Sequence, residues 1–209
     1  MPGNTTHPHV IILGGPNGAG KSTAARGLLR DLLGLADFVN ADTIASGLSG
    51  YAPERVAFAA GRIMLSRLHE LAAERADFAF ETTMSSRTFA PWLAGLRSSG
   101  YMIHIVFMWL RSPELALRRV RRRVREGGHD VPEGVIRRRY TRGARNFVRL
   151  YLPLADSWRV YDNSATANPQ LVAFGGFNLP TIVNRAAAWR RLLQESNRAA
   201  NHSQDTTDI

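Results

Sequence analysis

Residues 15–22 read GPNGAGKS and satisfy the pattern G-x-x-x-x-G-K-[ST]. Gly15, Gly18 and Gly20 let a backbone curl so that its N–H groups point inward. Pro16, Asn17 and Ala19 complete the loop. Such a loop cradles the phosphates of ATP, with all of residues 15–23, Thr23 included, as its binding set, Lys21 reaching the outer phosphates and the Ser22 hydroxyl offered to Mg2+. The alternative is a glycine-rich strand-to-helix turn without a ligand. One count argues against it: of 27 basic residues, Lys21 alone is lysine and the rest are arginine. A compact ammonium has been kept where a planar guanidinium would be too wide.

Two carboxylates supply the next chemistry. Asp42 follows the segment DFVN (37–40) and Glu81 follows FAF (78–80), each at the expected C-terminal end of a strand. In an open parallel sheet those ends line the ligand crevice. Asp42 there accepts a proton from a hydroxyl nucleophile or holds magnesium through water. Its plain alternative is an N-cap for a turn over 43–46. Glu81 stands beside Thr82, Thr83 and Ser85, a hydroxyl cluster suited to a polar acceptor. Its plain alternative is a surface acid at a strand end.

The third element is charge. The chain carries a formal +10, and between Arg111 and Arg149 thirteen arginines face only Glu114, Glu126, Asp130 and Glu133. That block holds nearly all of the excess, which suits a compact, highly charged ligand better than a diffuse polyanion. Two helices joined across Gly127, Gly128, His129, Asp130 and Val131 have the form of a lid over about 112–149. Arginines carried on it neutralise the oxygens of a transferring phosphoryl group. Most of the block must be a solvated face. Arg119, Arg123, Arg138 and Arg139 flank the glycine turn and are the better candidates, with Arg123 and Arg138 taken as catalytic together with Lys21 and Asp42. His129 reads as a hydrogen-bonding loop residue and His104 as a core histidine. A competing reading makes the block a nucleic-acid surface, with salt-dependent affinity. Against it, only Tyr140 and Phe147 interrupt the arginine helices, too few for a stacking platform.

These residues need a scaffold. At 209 residues and 44% hydrophobic content the chain suits one domain with a full core. The absence of cysteine excludes disulfides, zinc-thiolate sites and a cysteine nucleophile. No apolar run approaches a membrane span or a signal-peptide core, so a cytoplasmic protein without membrane contact is expected. Strands are expected at 9–13, 37–40, 78–80, 101–110 and 157–161. Helices are expected at 21–33, 54–74, 88–97, from 112 to the Gly127–Gly128 stop, 132–150 and 182–193. This alternation predicts an α/β fold: a P-loop NTPase three-layer sandwich with a central, mostly parallel five-stranded sheet and a helical arginine-rich lid. The domain should cover 9–195, with 1–8 and 196–209 as disordered ends.

The stretches GGPNGAGKST (14–23), NAD (40–42), ETTMS (81–85) and RVRRRVREGGHDVPEGVIRRRY (119–140), followed by NF (146–147), resemble the zeta toxin family of P-loop kinases. The resemblance spans roughly 10–164. It implies an ATP-dependent kinase acting on a sugar nucleotide such as UDP-N-acetylglucosamine. Lys21 and Ser22 would bind ATP and magnesium, Asp42 would be the base, Glu81 and Thr83 would hold the acceptor and Arg123 would be a lid arginine. It also implies a protein antitoxin that covers the ATP site. A kinase for another small hydroxyl acceptor is the alternative within the same class.

Overall fold

The computed structural model describes residues 7–25, 37–50, 53–128, 130–165 and 168–201. Its centre is a seven-stranded sheet in the order β2-β3-β1-β4-β5-β6-β7. The strands are β1 (His9–Gly14), β2 (Phe38–Val39), β3 (Phe78–Thr82), β4 (Met102–Trp109), β5 (Ser157–Asp162), β6 (Gln170–Gly176) and β7 (Leu179–Val183). The five expected strands are all present and pair in parallel. Two further strands, β6 and β7, extend the sheet by antiparallel pairing beyond β5. They correct the five-stranded expectation. The helix expected over 182–193 starts later, because Ile182 and Val183 end β7; α7 runs Ala186–Asn201. It also carries the ordered chain past Ser196, which is buried and was expected to open a disordered end. Residues 1–6 and 202–209 of the expected ends, residues 26–33 of the first expected helix, and His129 lie outside the described residues.

Alternation along the strands explains the layers. Val10 and Ile12 of β1 and Ile103, Ile105, Phe107 and Trp109 of β4 point to one face, where they meet Met64 and Leu68 of α3 (Ala57–Ala73) and Leu93 and Leu96 of α4 (Phe89–Ser98). Ile11, Leu13, Val106 and Met108 point to the other, against Ala25 of α1 (Lys21–Ala25), Leu117 and Val120 of α5 (Pro113–Arg125) and Ile136 and Tyr140 of α6 (Glu133–Asn146). Both faces are covered, so the inner strands read as continuous apolar runs. Fully burying a side chain such as Phe78, Phe80 or Phe107 stabilises the fold by about 2 kcal/mol or more.

The arginine-bearing helices start and stop for local reasons. Ser112 caps α5, accepting from Leu115 N at 3.2 Å, and Pro113 occupies the first turn. At the other end Gly127 has φ +85°; its N–H bonds Val124 O at 3.0 Å and that of Gly128 bonds Arg123 O at 2.8 Å. This is the Schellman stop, which glycine adopts without strain. After α6 the chain passes through a π-helical turn, Phe147–Tyr151, in which Phe147 stacks on Phe107 with centroids 4.1 Å apart.

Helix α6 lies directly on the segment that follows β3. A Cβ built at Gly143 would sit 2.4 Å from the Thr83 carbonyl oxygen, so only glycine permits this approach. Glycine to alanine in a helix interior ordinarily stabilises by about 1 kcal/mol. Gly143→Ala should instead destabilise by about 1–3 kcal/mol, read from denaturant unfolding, because the backbone it meets has no room to give. A gain in stability would show that α6 does not rest on Thr83.

Candidate functional site

The loop after β1 takes its shape from three glycines. Gly15, Gly18 and Gly20 have φ of 138°, 74° and 83°, and a Cβ at Gly15 would meet the Met108 carbonyl oxygen at 2.2 Å. Asn163, just after β5, donates to Ala19 O at 2.8 Å and braces the loop from below; Gly20 leaves room for its amide. Ala116 and Arg119 of α5 close over Gly18. Asn17 is buried, yet its Oδ1 has no hydrogen-bond partner. The positive-φ glycines fit a loop whose backbone N–H groups turn inward on a phosphorylated ligand.

Glu81 is the centre of the site. The β1–β3 register sets it opposite Leu13, one pair before the loop begins. Its Oε1 lies 3.4 Å from Lys21 Nζ; its Oε2 accepts from Ser22 Oγ at 2.7 Å and from Asn40 Nδ2 at 2.8 Å. Lys21 also donates to Pro16 O at 3.0 Å and is almost wholly buried. Burial holds the Lys21 ammonium below the usual lysine range; the charges of Glu81 and Asp42 oppose that, and Arg123 adds to it. From the sequence Glu81 is expected at the ligand crevice, with acceptor binding as its preferred role. The structure puts its carboxylate on Lys21 and Ser22, the phosphate side of the crevice.

Asn40, which the sequence reading did not single out, does two jobs. Its amide donates to Glu81, and its Oδ1 caps α2 (Ala41–Leu48) by accepting from Asp42 N at 2.8 Å and Thr43 N at 3.4 Å. Asp42 is therefore not the cap. It stands exposed in the first turn of α2, close enough for its charge to act on Lys21 and on Arg139.

The expected lid residues divide. Arg123 lies within electrostatic reach of Lys21. Arg139 is half-buried; burial lowers its affinity for its proton, Asp42 raises it and Arg138 lowers it. Arg138, expected to be catalytic, points outward and is exposed, so the inward position on α6 belongs to Arg139. Arg119 donates to Ala165 O at 3.1 Å. Arg121 and Arg137 tie the two helices together: Arg137 bonds Glu114 at 2.8 Å and Glu133 at 2.9 Å, and Arg121 bonds Glu133 at 2.9 Å.

The hydroxyl segment after Glu81 is tightly held. Thr83 Oγ1 and Ser85 Oγ are 2.9 Å apart, and Met84 between them has φ 55° with its side chain fully buried. The buried Asn146 of α6 donates to Met84 O at 2.9 Å and Ser85 O at 3.1 Å, and Tyr151 donates to Ser86 O at 2.8 Å. Thr83 and Ser85 thus sit on one rigid shelf beside Glu81. Ser22 and Glu81 are a fitting pair for magnesium, one hydroxyl and one carboxylate already converging at 2.7 Å. No cluster of three metal-ligating side chains occurs among the described residues, and none of their helices is long and apolar enough to cross a membrane.

Comparison with known proteins bears on the fold. An uncharacterized protein of Haemophilus influenzae is 27% identical over 130 residues, which is 62% of this chain and 91% of that protein. The crystal structure of AvrRxo1-ORF1:AvrRxo1-ORF2 with sulphate ions superposes with a TM-score of 0.74 at 15% identity, covering 90% of this chain. The same pair solved with ATP gives 0.72 at 16% identity. The chain spans 64% of the length of these matched chains. A structure of the PezAT chromosomal toxin-antitoxin system of Streptococcus pneumoniae gives 0.58 at 19% identity, covering 77% of this chain and 70% of that one. These likenesses establish an α/β P-loop kinase-like fold. A family model described as AAA domain (AAA_33) matches residues 10–143, most of the chain and all of the phosphate loop, both carboxylates and the arginine helices, and the chain belongs to that family.

Proposed function

We propose that this protein is an ATP-dependent small-molecule kinase of the zeta toxin type, which transfers the γ-phosphoryl group of ATP to a hydroxyl of a sugar nucleotide such as UDP-N-acetylglucosamine. The observation that carries the reading is the convergence on Glu81: phosphate-loop lysine, phosphate-loop serine and the cap of the Asp42 helix meet one carboxylate. A kinase for a hydroxyl uses a carboxylate near its phosphate loop to take the acceptor's proton, and Asp42 is in position to supply one. The ATP-bound AvrRxo1 structure and the PezAT structure support the nucleotide and, as a partner, an inhibitory protein. A cytoplasmic location follows from ATP as donor.

The chemistry asks little covalent work of the protein. Asp42 takes the proton of the acceptor hydroxyl as its oxygen bonds to the γ-phosphorus; the bond from that phosphorus to the β,γ-bridging oxygen breaks, and ADP leaves with the electron pair. Lys21 moves its charge from Glu81 to the phosphates. Arg123 and Arg139 close over the equatorial oxygens, which carry most of the charge in a loose transition state. Magnesium, held by Ser22 and by Glu81 through water, would supply further neutralisation of the phosphate oxygens. Thr83 and Ser85 present hydroxyls to the acceptor. Positioning and electrostatics account for most of the rate, and the base for about two to four powers of ten.

Asp42→Ala should leave the affinity for ATP within about twofold and lower transfer of labelled phosphate by about 100-fold or more. The measurement is incubation with labelled ATP and a panel of sugar nucleotides, nucleosides and sugars; undiminished transfer would remove Asp42 from the mechanism. Phosphorylation of a compound other than a sugar nucleotide would keep the kinase and change the acceptor. Lys21→Ala should weaken a fluorescent ATP analogue by about 10- to 100-fold, the loss of a charge-assisted contact, and depress turnover as well. Equal affinity in that variant would place the triphosphate elsewhere.

A further inference from the structure

Glu195 on α7 belongs to a buried group of polar atoms far in sequence from the phosphate loop. Its Oε2 lies 2.6 Å from Tyr140 Oη on α6, and Tyr140 Oη lies 2.6 Å from the Leu110 carbonyl oxygen at the end of β4. Trp109 Nε1 donates to the same Oε2 at 3.4 Å, and Arg191 Nε lies 3.5 Å from Oε1. Both 2.6 Å contacts have the length of O–H···O hydrogen bonds. A phenol has one proton and a carbonyl oxygen has none. Were Glu195 a carboxylate, Tyr140 could donate to only one of its two neighbours, and the other contact would press lone pair against lone pair. With a proton on Glu195 both contacts are satisfied: the carboxylic acid donates to Tyr140 Oη, and Tyr140 donates to Leu110 O.

We propose that Glu195 is a neutral carboxylic acid in the folded protein and that, through this one-way chain of hydrogen bonds, it is a positioning residue that fastens α6 to β4 and α7. Arg139 precedes Tyr140 in the chain, so the fastening sets the height and rotation of the helix turn that brings Arg139 to Asp42. The surroundings agree. Burial pushes the Glu195 carboxyl above its ordinary range, while the contacts from Tyr140, Trp109 and Arg191 pull it down. Burial first, and then the neighbouring Glu195, hold Tyr140 far above the ordinary phenol range, so it keeps its proton. The groups that face Glu195 are Tyr140 from α6, Trp109 from β4 and, from α7 itself, the exposed Arg191.

The sign follows from linkage. A glutamic acid whose folded pKa is raised contributes stability in full below its unfolded value, about 4.3, and that contribution is lost as pH rises through the folded value. Above it, the carboxylate takes the Tyr140 proton bond and Leu110 O loses its donor, so α6 is released from β4.

The test is a carbon NMR titration of side-chain carboxyls in the full chain labelled at glutamate, with Glu195→Gln to assign the signal. One carboxyl should keep its proton over a pH window above that in which the other glutamates lose theirs, and that signal should vanish in the variant. Glu195→Gln keeps a donor for Tyr140 and should hold Tm within about 2 °C of wild type, while removing its pH dependence through this window; Glu195→Ala should lose about 5 °C. Titration of Glu195 together with the other glutamates would overturn the proposal. So would a glutamine variant as unstable as the alanine one. Neither readout depends on phosphoryl transfer, so this inference and the kinase reading stand or fall separately.

Discussion

The site depends on one buried ion pair, Lys21 with Glu81, and on that pair being incomplete. The two charges sit 3.4 Å apart with side chains 6% and 11% exposed. Removing both from water costs several kcal/mol per ion, and one attraction at that distance does not cancel it, so Lys21 is held below the normal lysine range. A well-packed apolar pair would serve stability better. What the ammonium lacks is more negative charge, and a triphosphate brings it. Glu81 meanwhile holds Lys21, Ser22 and Asn40 in place, so the loop needs little rearrangement when ligand arrives.

In the proposed mechanism helix α6 serves both substrates. Within a few turns it carries Arg139 toward Asp42, Gly143 onto the Thr83 carbonyl and Asn146 onto the Met84 and Ser85 carbonyls. The same rod therefore positions both Arg139 and the Thr83–Ser85 hydroxyl shelf. Helix α5 meets the phosphate loop at Gly18 and is strapped to α6 through Glu114, Arg137, Glu133 and Arg121. The arginine block thus divides its labour: Arg121 and Arg137 hold the helices to each other, Arg119 ties α5 to Ala165, and Arg123 and Arg139 lie within electrostatic reach of Lys21 and Asp42.

How much of this is legible in the sequence depends on the range of the interaction. The phosphate loop is local, and its glycine spacing gives both its shape and its flanking strand and helix. The parallel strands are legible because burial on both faces makes them continuous apolar runs, as in 102–109. Strand β7 is not, since all five of its residues are exposed; β6 does carry a short apolar run, residues 171–174, ahead of a hairpin that turns at Asn178, φ 59°. The choice between Arg138 and Arg139 is a matter of helical phase. Ile136, Tyr140 and Gly143 face inward, and Arg139, three residues after Ile136 and four before Gly143, shares their side. The roles of Asn40 and Asn146 come from partners 41 and 62 residues away, which no local pattern reveals.

The most direct test of the central claim is a crystal structure with magnesium and a non-hydrolysable ATP analogue. Lys21 Nζ should leave Glu81 for the β- and γ-phosphate oxygens, with Arg123 and Arg139 turned toward the γ-phosphate and Asp42 facing its open side. A structure in which Lys21 stays on Glu81 and Pro16, with the nucleotide bound away from the arginine helices, would contradict it.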